Sequence, residues 1–359
     1  MTRNLTIHGL RGLAAILVVL YHIYKMGQTG GFFSEKPVEG FFKIYYNFGS
    51  MGVNIFFMIS GFLIIGSLSR YFDIKSFLIN RIIRIYPVFL TLHLIVFLMG
   101  PIINYEWLGS VSTKEYLEGF FVNLFLLPGI FDLPLAQKNA WSLSYEFTFY
   151  VISSLFFYSI YKMEKGIFQK IFISMLICIT FIIFYNHPTA IFFVIGVCIY
   201  YCYKHLKSKY TYKKYYILNG LVLLPTTFFL YDPKDSIAIL PLILSGWLFW
   251  TVVNEEGILS KILKRRSFQY LGNISYSLYL IHPFAMFPLK VIFSTEKIKN
   301  LIGNEYLSIG LFGVLSIIGA IIASHVSYVL IEVWFTNKMK TRLNSRLANK
   351  SDSLKTKTL

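Results

Sequence analysis

Two ionisable side chains interrupt the first apolar run of the chain, Arg11 and His22 in LRGLAAILVVLYH (10–22). Eleven residues is close to three helical turns, so both lie on one face, ~16 Å apart along the axis at ~1.5 Å per residue. A guanidinium is a permanent donor for phosphate or carboxylate, and an imidazole is suited to take a proton from a hydroxyl near neutral pH. A snorkelling arginine and a backbone-bonded interfacial histidine would use the same residues without chemistry.

Five further segments carry polar groups of this kind. RIIRIYP (81–87) places Arg81 and Arg84 at i, i+3, two forked donors on one face suited to phosphate, although anchoring of a helix end explains them as well. WSLSYEFTFY (141–150) surrounds one acid, Glu146, with Trp141, Ser142, Tyr145 and Tyr150, and this carboxylate could orient or deprotonate a neutral partner such as His22. GVNIFFMISGFLI (52–64) offers Asn54 and Ser60 as lining groups, while its Gly and Ser also permit close helix packing. LGNISYSLYLIHPF (271–284) holds Tyr276 and places His282 directly before Pro283, and near the end His325, Tyr328 and Glu332 fall near one stripe with Glu332 able to pair with an arginine. His93 has no evident partner and reads as structural. Cys198 and Cys202 sit at i, i+4 with no further Cys or nearby acid, which favours packing thiols over a metal site, and no metal is expected.

The elements that must position these groups are membrane helices. Of the 359 residues, 56% are of the AVILMFWYC class and 14% are charged, with a mean hydropathy of +0.60. Soluble domains average about 25% charged residues. Ten apolar windows of spanning character occur at 8–24, 48–68, 84–104, 141–161, 168–185, 189–203, 215–231, 236–253, 272–294 and 308–335. The 118–131 segment is apolar but too short to span and reads as re-entrant or interfacial. An all-α polytopic fold of about ten transmembrane helices follows, with a membrane domain over 1–337 and a basic, disordered cytoplasmic tail over 338–359. MTRN before the first run resembles a signal peptide, but no small-residue cleavage site follows, so an uncleaved first helix is expected.

The net charge of +17, from 34 Lys and Arg against 17 Asp and Glu, would in a soluble protein suggest nucleic acid. Counted loop by loop with the N-terminus inside, 24 basic residues fall on the cytoplasmic side, Arg11 lies within the first span, and nine fall outside: Lys25, Lys36, Lys43, Lys114, Lys138, Lys234, Lys290, Lys297 and Lys299. This asymmetry predicts an even number of spans, both termini in the cytoplasm and a multi-pass protein of the cell membrane, with the bilayer rather than nucleic acid as partner. It sets no oligomeric state.

Together these segments resemble the acyltransferase 3 family of integral membrane acyltransferases, over about residues 3–335. The marks are Arg11 and His22 at the family's spacing, GVNIFFMISGFLI, RIIRIYP, WSLSYEFTFY, LGNISYSLYLIH and Tyr328 with Glu332. Two positions depart from the pattern: His8 and Asn54 stand where the family often has an acid. The resemblance implies transfer of an acyl group, acetyl in the family's usual case, from acyl-CoA as co-substrate to a hydroxyl of a saccharide or lipid-linked glycan, with no bound cofactor. In that reading Arg81, Arg84 and Arg11 hold the CoA phosphates. His22 is general base or acyl carrier, and Glu146 orients it. Trp141, Ser142, Tyr276 and His282 line the acceptor side. With some 24 residues after the last span, no fused extracellular hydrolase-like domain is expected. A transporter or flippase of lipid-linked saccharides is the alternative, but the internal repeats and midplane acids it would show are faint.

Overall fold

The computed structural model describes residues 4–32, 43–71, 73–206, 219–232, 238–255, 257–339 and 341. The basic loop at 207–218, Arg3 and nearly all of the tail predicted over 338–359 lie outside the described residues.

The described chain is helical, with no named strand. In order it forms α1 (Leu5–Thr29), α2 (Lys43–Tyr71), α3 (Ile74–Met99), α4 (Thr113–Leu124), α5 (Trp141–Tyr161), α6 (Ile167–Asn186), α7 (Ile191–Leu206), α8 (Asn219–Leu230), α9 (Ile239–Val253), α10 (Gly257–Leu263), α11 (Arg266–Phe293), α12 (Glu296–Ile302) and α13 (Glu305–Ser327). A π-helical stretch, Tyr328–Phe335, continues α13. Each of the ten apolar windows overlaps one of these helices. Seven described helices are long and apolar enough to cross a bilayer. α5 has the length, but Ser142, Ser144, Glu146, Ser153, Ser154 and Ser159 dilute its apolar character. α8 and α9 are shorter, at 12 and 15 residues. The apolar 118–131 segment is divided between the 12-residue α4, closed by a Ser112/Glu115 capping box, and a turn.

α1 packs against α2 and α11 and touches α13, α10 and α9. Small residues make that possible. A Cβ on Gly12 would lie 2.7 Å from the Gly272 nitrogen, and one on Gly272 would lie 2.3 Å from the His8 carbonyl oxygen, so α1 and α11 touch backbone to backbone. α2 and α7 meet in the same way, with Gly61 against the Phe193 carbonyl and Gly196 against that of Met58, both at 2.1 Å. At His8, where the resemblance leads one to expect an acid, Nε2 lies 3.0 Å from Asn273 Oδ1 and 3.1 Å from the Gln269 carbonyl, tying α1 to α11. Asn54 is buried within α2, its amide 3.8 Å from Met51 Sδ.

α3 corrects one expected boundary. Its first turn begins at Ile74, ten residues before the apolar window, because Asp73 caps it by accepting from the backbone N–H groups of Lys75 and Ser76. The Ser76 hydroxyl and backbone hold that carboxyl below the usual carboxylate range. Arg81 and Arg84 had looked like charges flanking a span that began at 84. They instead lie two to three turns inside a helix, ~10 and ~15 Å from its start.

Candidate functional site

Five helices converge on a cavity of about 60 Å³. α1 contributes Arg11, and α3 contributes Arg81 and Arg84. α2 presents Val53, Phe56, Phe57, Ser60 and Ile64, the i, i+3, i+4 series of one face. From α5 come Ser142, Glu146 and Tyr150, each four residues from the last, and from α11 come Ser275, Tyr276 and Tyr279. α3 is pinned to α11 by the Tyr276 hydroxyl, which donates to the Ile85 carbonyl at 2.6 Å.

Within this cavity Glu146 accepts from Ser60 Oγ at 2.7 Å and from the Tyr150 hydroxyl. The Arg81 guanidinium lies over the rings of Phe77 and Tyr150, 5.0 and 5.4 Å from their centroids. Its buried Nε has no hydrogen-bond partner. Among the described residues, none of Arg11, Arg81 and Arg84 has a carboxylate at ion-pair distance. Three guanidiniums therefore share a cavity with one carboxylate that is already taken by two hydroxyls. A second, more polar cavity of about 400 Å³ adjoins it through Arg81 and Arg84 and is lined also by Ser67, Ser76, Asn80, Glu332 and Thr336. Glu332 accepts from Ser277 Oγ at 2.5 Å and from the Ser277 N–H at 3.1 Å. Its π-helical setting turns it to α11, while His325 lies 3.1 Å from the Tyr270 hydroxyl.

His22 lines a different cavity, of about 420 Å³, toward the other end of α1. Its Nδ1 is 2.9 Å from the Val18 carbonyl. A carbonyl only accepts, so this nitrogen carries the proton and Nε2 is the basic one. The ring lies against His282, with centroids 4.7 Å apart.

The two cavities meet at one layer of side chains. Tyr279 lines the arginine cavity while its neighbour Leu280 lines the His22 cavity, and Ser142 and Asn139 divide in the same way. Between them Ser142 Oγ and the Tyr279 hydroxyl share a hydrogen bond at 2.6 Å, and the one that accepts in it donates to the Asn139 carbonyl, which lies 3.1 Å from Ser142 Oγ and 3.2 Å from the Tyr279 hydroxyl. The Asn139 amide reaches the Tyr279 carbonyl at 2.9 Å and His282 Nε2 at 3.4 Å, while His282 Nδ1 donates to the Leu278 carbonyl at 2.8 Å.

The structure thus brings Arg11, Ser60, Arg81, Arg84, Ser142, Glu146 and Tyr276 together. It separates Glu146 from His22: the carboxylate expected to orient that ring is instead held by Ser60 and Tyr150 in the other cavity. Ser142 and Tyr276, expected on the acceptor side, line the arginine cavity. Asn54 lines neither cavity, and Trp141 packs edge-on against Phe57 and Tyr145. His93 is buried among Phe89, Phe97 and Phe120, its ring nitrogens without hydrogen-bond partners. Asn139 was not singled out by sequence, and Tyr279, one of the polar residues of 271–284, was given no role. Tyr279 is one turn from Tyr276 and Asn139 two residues before Trp141, and that proximity was the available signal. Among the described residues no group of three His, Cys, Asp or Glu could hold a metal ion.

The described chain is a bundle of membrane-type helices in which three guanidiniums line one cavity and His22 lines another. Comparison with known proteins identifies the family. An acyltransferase-domain profile matches residues 4–325, and the chain belongs to that family. Peptidoglycan O-acetyltransferase OatA of Listeria monocytogenes is 29% identical over 45% of this chain and 25% of its own. Acyltransferase MdmB of Streptomyces mycarofaciens is 29% identical over 42% of this chain and 38% of its own. A putative O-acetyltransferase of Staphylococcus aureus is 25% identical over 76% of this chain and 49% of its own. The chain thus matches less than two thirds of the length of each. No solved structure matches.

Proposed function

We propose that this protein is an O-acyltransferase of the cell membrane. It moves an acyl group, acetyl in the first instance, from cytoplasmic acyl-CoA to a hydroxyl of a saccharide or lipid-linked glycan. The observation that carries this reading is the convergence of Arg11, Arg81 and Arg84 on one cavity without carboxylate partners, with the Arg81 Nε buried and unbonded. Forked donors in that state suit phosphate. The chain would cross the bilayer ten times with both termini inside, as the Lys and Arg count favours.

In this reading the guanidiniums hold the phosphates of CoA, and the pantetheine arm extends toward the Ser142–Tyr279 pair, which must part to admit it. His22 Nε2 takes the proton of the acceptor hydroxyl and the oxygen attacks the thioester carbonyl. The C–S bond then breaks, and the CoA thiolate takes up the proton as it leaves. Peptidoglycan O-acetylation, named for the Listeria relative, is consistent with such chemistry.

Purified protein in liposomes, supplied with labelled acetyl-CoA inside and saccharide acceptors outside, tests the reading. Transfer that depends on His22 supports it. Saccharide movement without acetyl-CoA binding would favour the flippase alternative, and labelled acetyl trapped on the protein in the absence of acceptor would make His22 an acyl carrier.

A further inference from the structure

Basic residues are scarce on the outer side of this bundle, yet three of the nine assigned there line the His22 cavity: Lys25, Lys138 and Lys290. The positive-inside tendency explains lysines at the opposite end and gives no reason for them here. They arrive from three separate elements. Lys25 lies on α1 one turn beyond His22. Lys290 lies on α11 about two turns beyond His282, and Lys138 lies on the segment that leads into α5. That segment is firmly held. Asn123 of α4 accepts from the Ala136 N–H and donates to the Pro134 carbonyl, each at 2.9 Å, and Trp107 Nε1 donates to the Leu135 carbonyl at 3.3 Å.

The charges are not balanced locally. Glu106 is the one carboxylate lining the cavity, and it pairs with Lys138 at 2.7 Å. Among the described residues Lys25 and Lys290 have no carboxylate at ion-pair distance. The cavity, about 420 Å³, also offers Thr29, Gln137 and Asn139 as uncharged polar groups and the rings of Tyr21, Tyr105, Phe284 and Phe287 as flat apolar faces. That lining suits a sugar ring, and its two uncompensated ammonium groups suit an anion attached to it.

We propose that the His22 cavity binds an acceptor saccharide carrying an anionic substituent, phosphate or carboxylate, with Lys25 and Lys290 as the charges that select it. This rests on the acyl-transfer reading for its consequence but not for its test, since binding alone decides it. Lysines act as point charges rather than forks, so a phosphate and a carboxylate are both accepted. The anion is held at the rim, and the ring hydroxyls lie toward His22.

The test is calorimetric binding to the full chain in detergent, with glucose 1-phosphate and glucuronate as anionic probes and methyl glucoside as the neutral one. Both anionic probes are expected to bind about tenfold tighter than methyl glucoside, and K25Q/K290Q to abolish that preference while leaving acetyl-CoA affinity unchanged. K25R/K290R, which keeps the charges, should retain it and thereby show that the effect is not a folding defect. The proposal is overturned if neither anionic probe binds, if methyl glucoside binds as well as they do, or if the preference survives in K25Q/K290Q. Loss of acetyl-CoA affinity in K25Q/K290Q overturns it too, because the lysines would then serve the donor. Failure of the acyl-transfer reading itself would appear separately, as absent acetyl-CoA binding in the wild-type chain.

Discussion

His22 and His282 face each other across α1 and α11 with ring centroids 4.7 Å apart, and each donates Nδ1–H to the carbonyl four residues earlier on its own helix. The shared anchor leaves Nε2 as the basic nitrogen of both rings, but the two differ in what meets it. The Asn139 amide lies 3.4 Å from His282 Nε2, whereas the His22 ring lines a cavity. His282 is held through both ring nitrogens, and His22 is held through Nδ1.

Substitution of His22 by Ala or Gln should therefore lower acetyl transfer by about 10²–10⁴-fold at saturating acetyl-CoA. His282→Gln should cost about tenfold or less. Initial rates with labelled acetyl-CoA in liposomes check both, and near wild-type transfer in His22→Ala would remove it from the reaction.

Arg81→Ala and Arg84→Ala should each raise the acetyl-CoA KM about tenfold and leave the acceptor KM unchanged. Lysine at these positions should restore little, because a point charge replaces a planar fork. If kinetics show the CoA KM unmoved, the arginines serve orientation in the membrane and not the donor.

Glu146→Gln should lower the acetyl-CoA KM, since it removes the one carboxylate that lines the arginine cavity with three guanidiniums. The amide oxygen can still accept from Ser60. A large fall in kcat with unchanged KM would instead restore the carboxylate to a role at His22.

Gly61→Leu should destabilise the bundle by about 1–3 kcal/mol or more, because even a Cβ there would come within 2.1 Å of the Phe193 carbonyl oxygen. Gly310→Ala, where a Cβ meets nothing within 4 Å, is the matched control and should be neutral. Thermal melting in detergent reads both.

Much of this arrangement was legible in the residues. The ten apolar windows each found a helix, since hydropathy reports the solvent directly. Helical spacing put Arg81 and Arg84 on one face of α3, and both line the same cavity. What spacing cannot carry is the depth of a residue in a helix whose polar start is capped locally. Asp73 begins α3 well before its apolar run, so Arg81 and Arg84 lie deeper than a hydropathy window places them. Nor does spacing reveal pairings between helices. Glu146 and His22 are both polar and both expected in the same half of the bundle, yet hydrogen bonding to Ser60 and Tyr150 assigns the carboxylate elsewhere. The Asn139–Tyr279 contact joins residues 140 positions apart, and no local pattern marks it.

That contact has an electrical consequence. Two cavities, one lined by three arginines and the other by His22 and three lysines, meet at the thin layer formed by Asn139, Ser142, Tyr279 and His282. In the proposed membrane topology, with both cavities hydrated, a transmembrane voltage would drop mainly across that layer instead of across ~30 Å of hydrocarbon, concentrating about 2.3 kcal/mol per elementary charge per 100 mV into a few ångströms. In the proposed reaction the same four side chains would also stand in the path of protons and ions, so that donor and acceptor meet without short-circuiting the membrane.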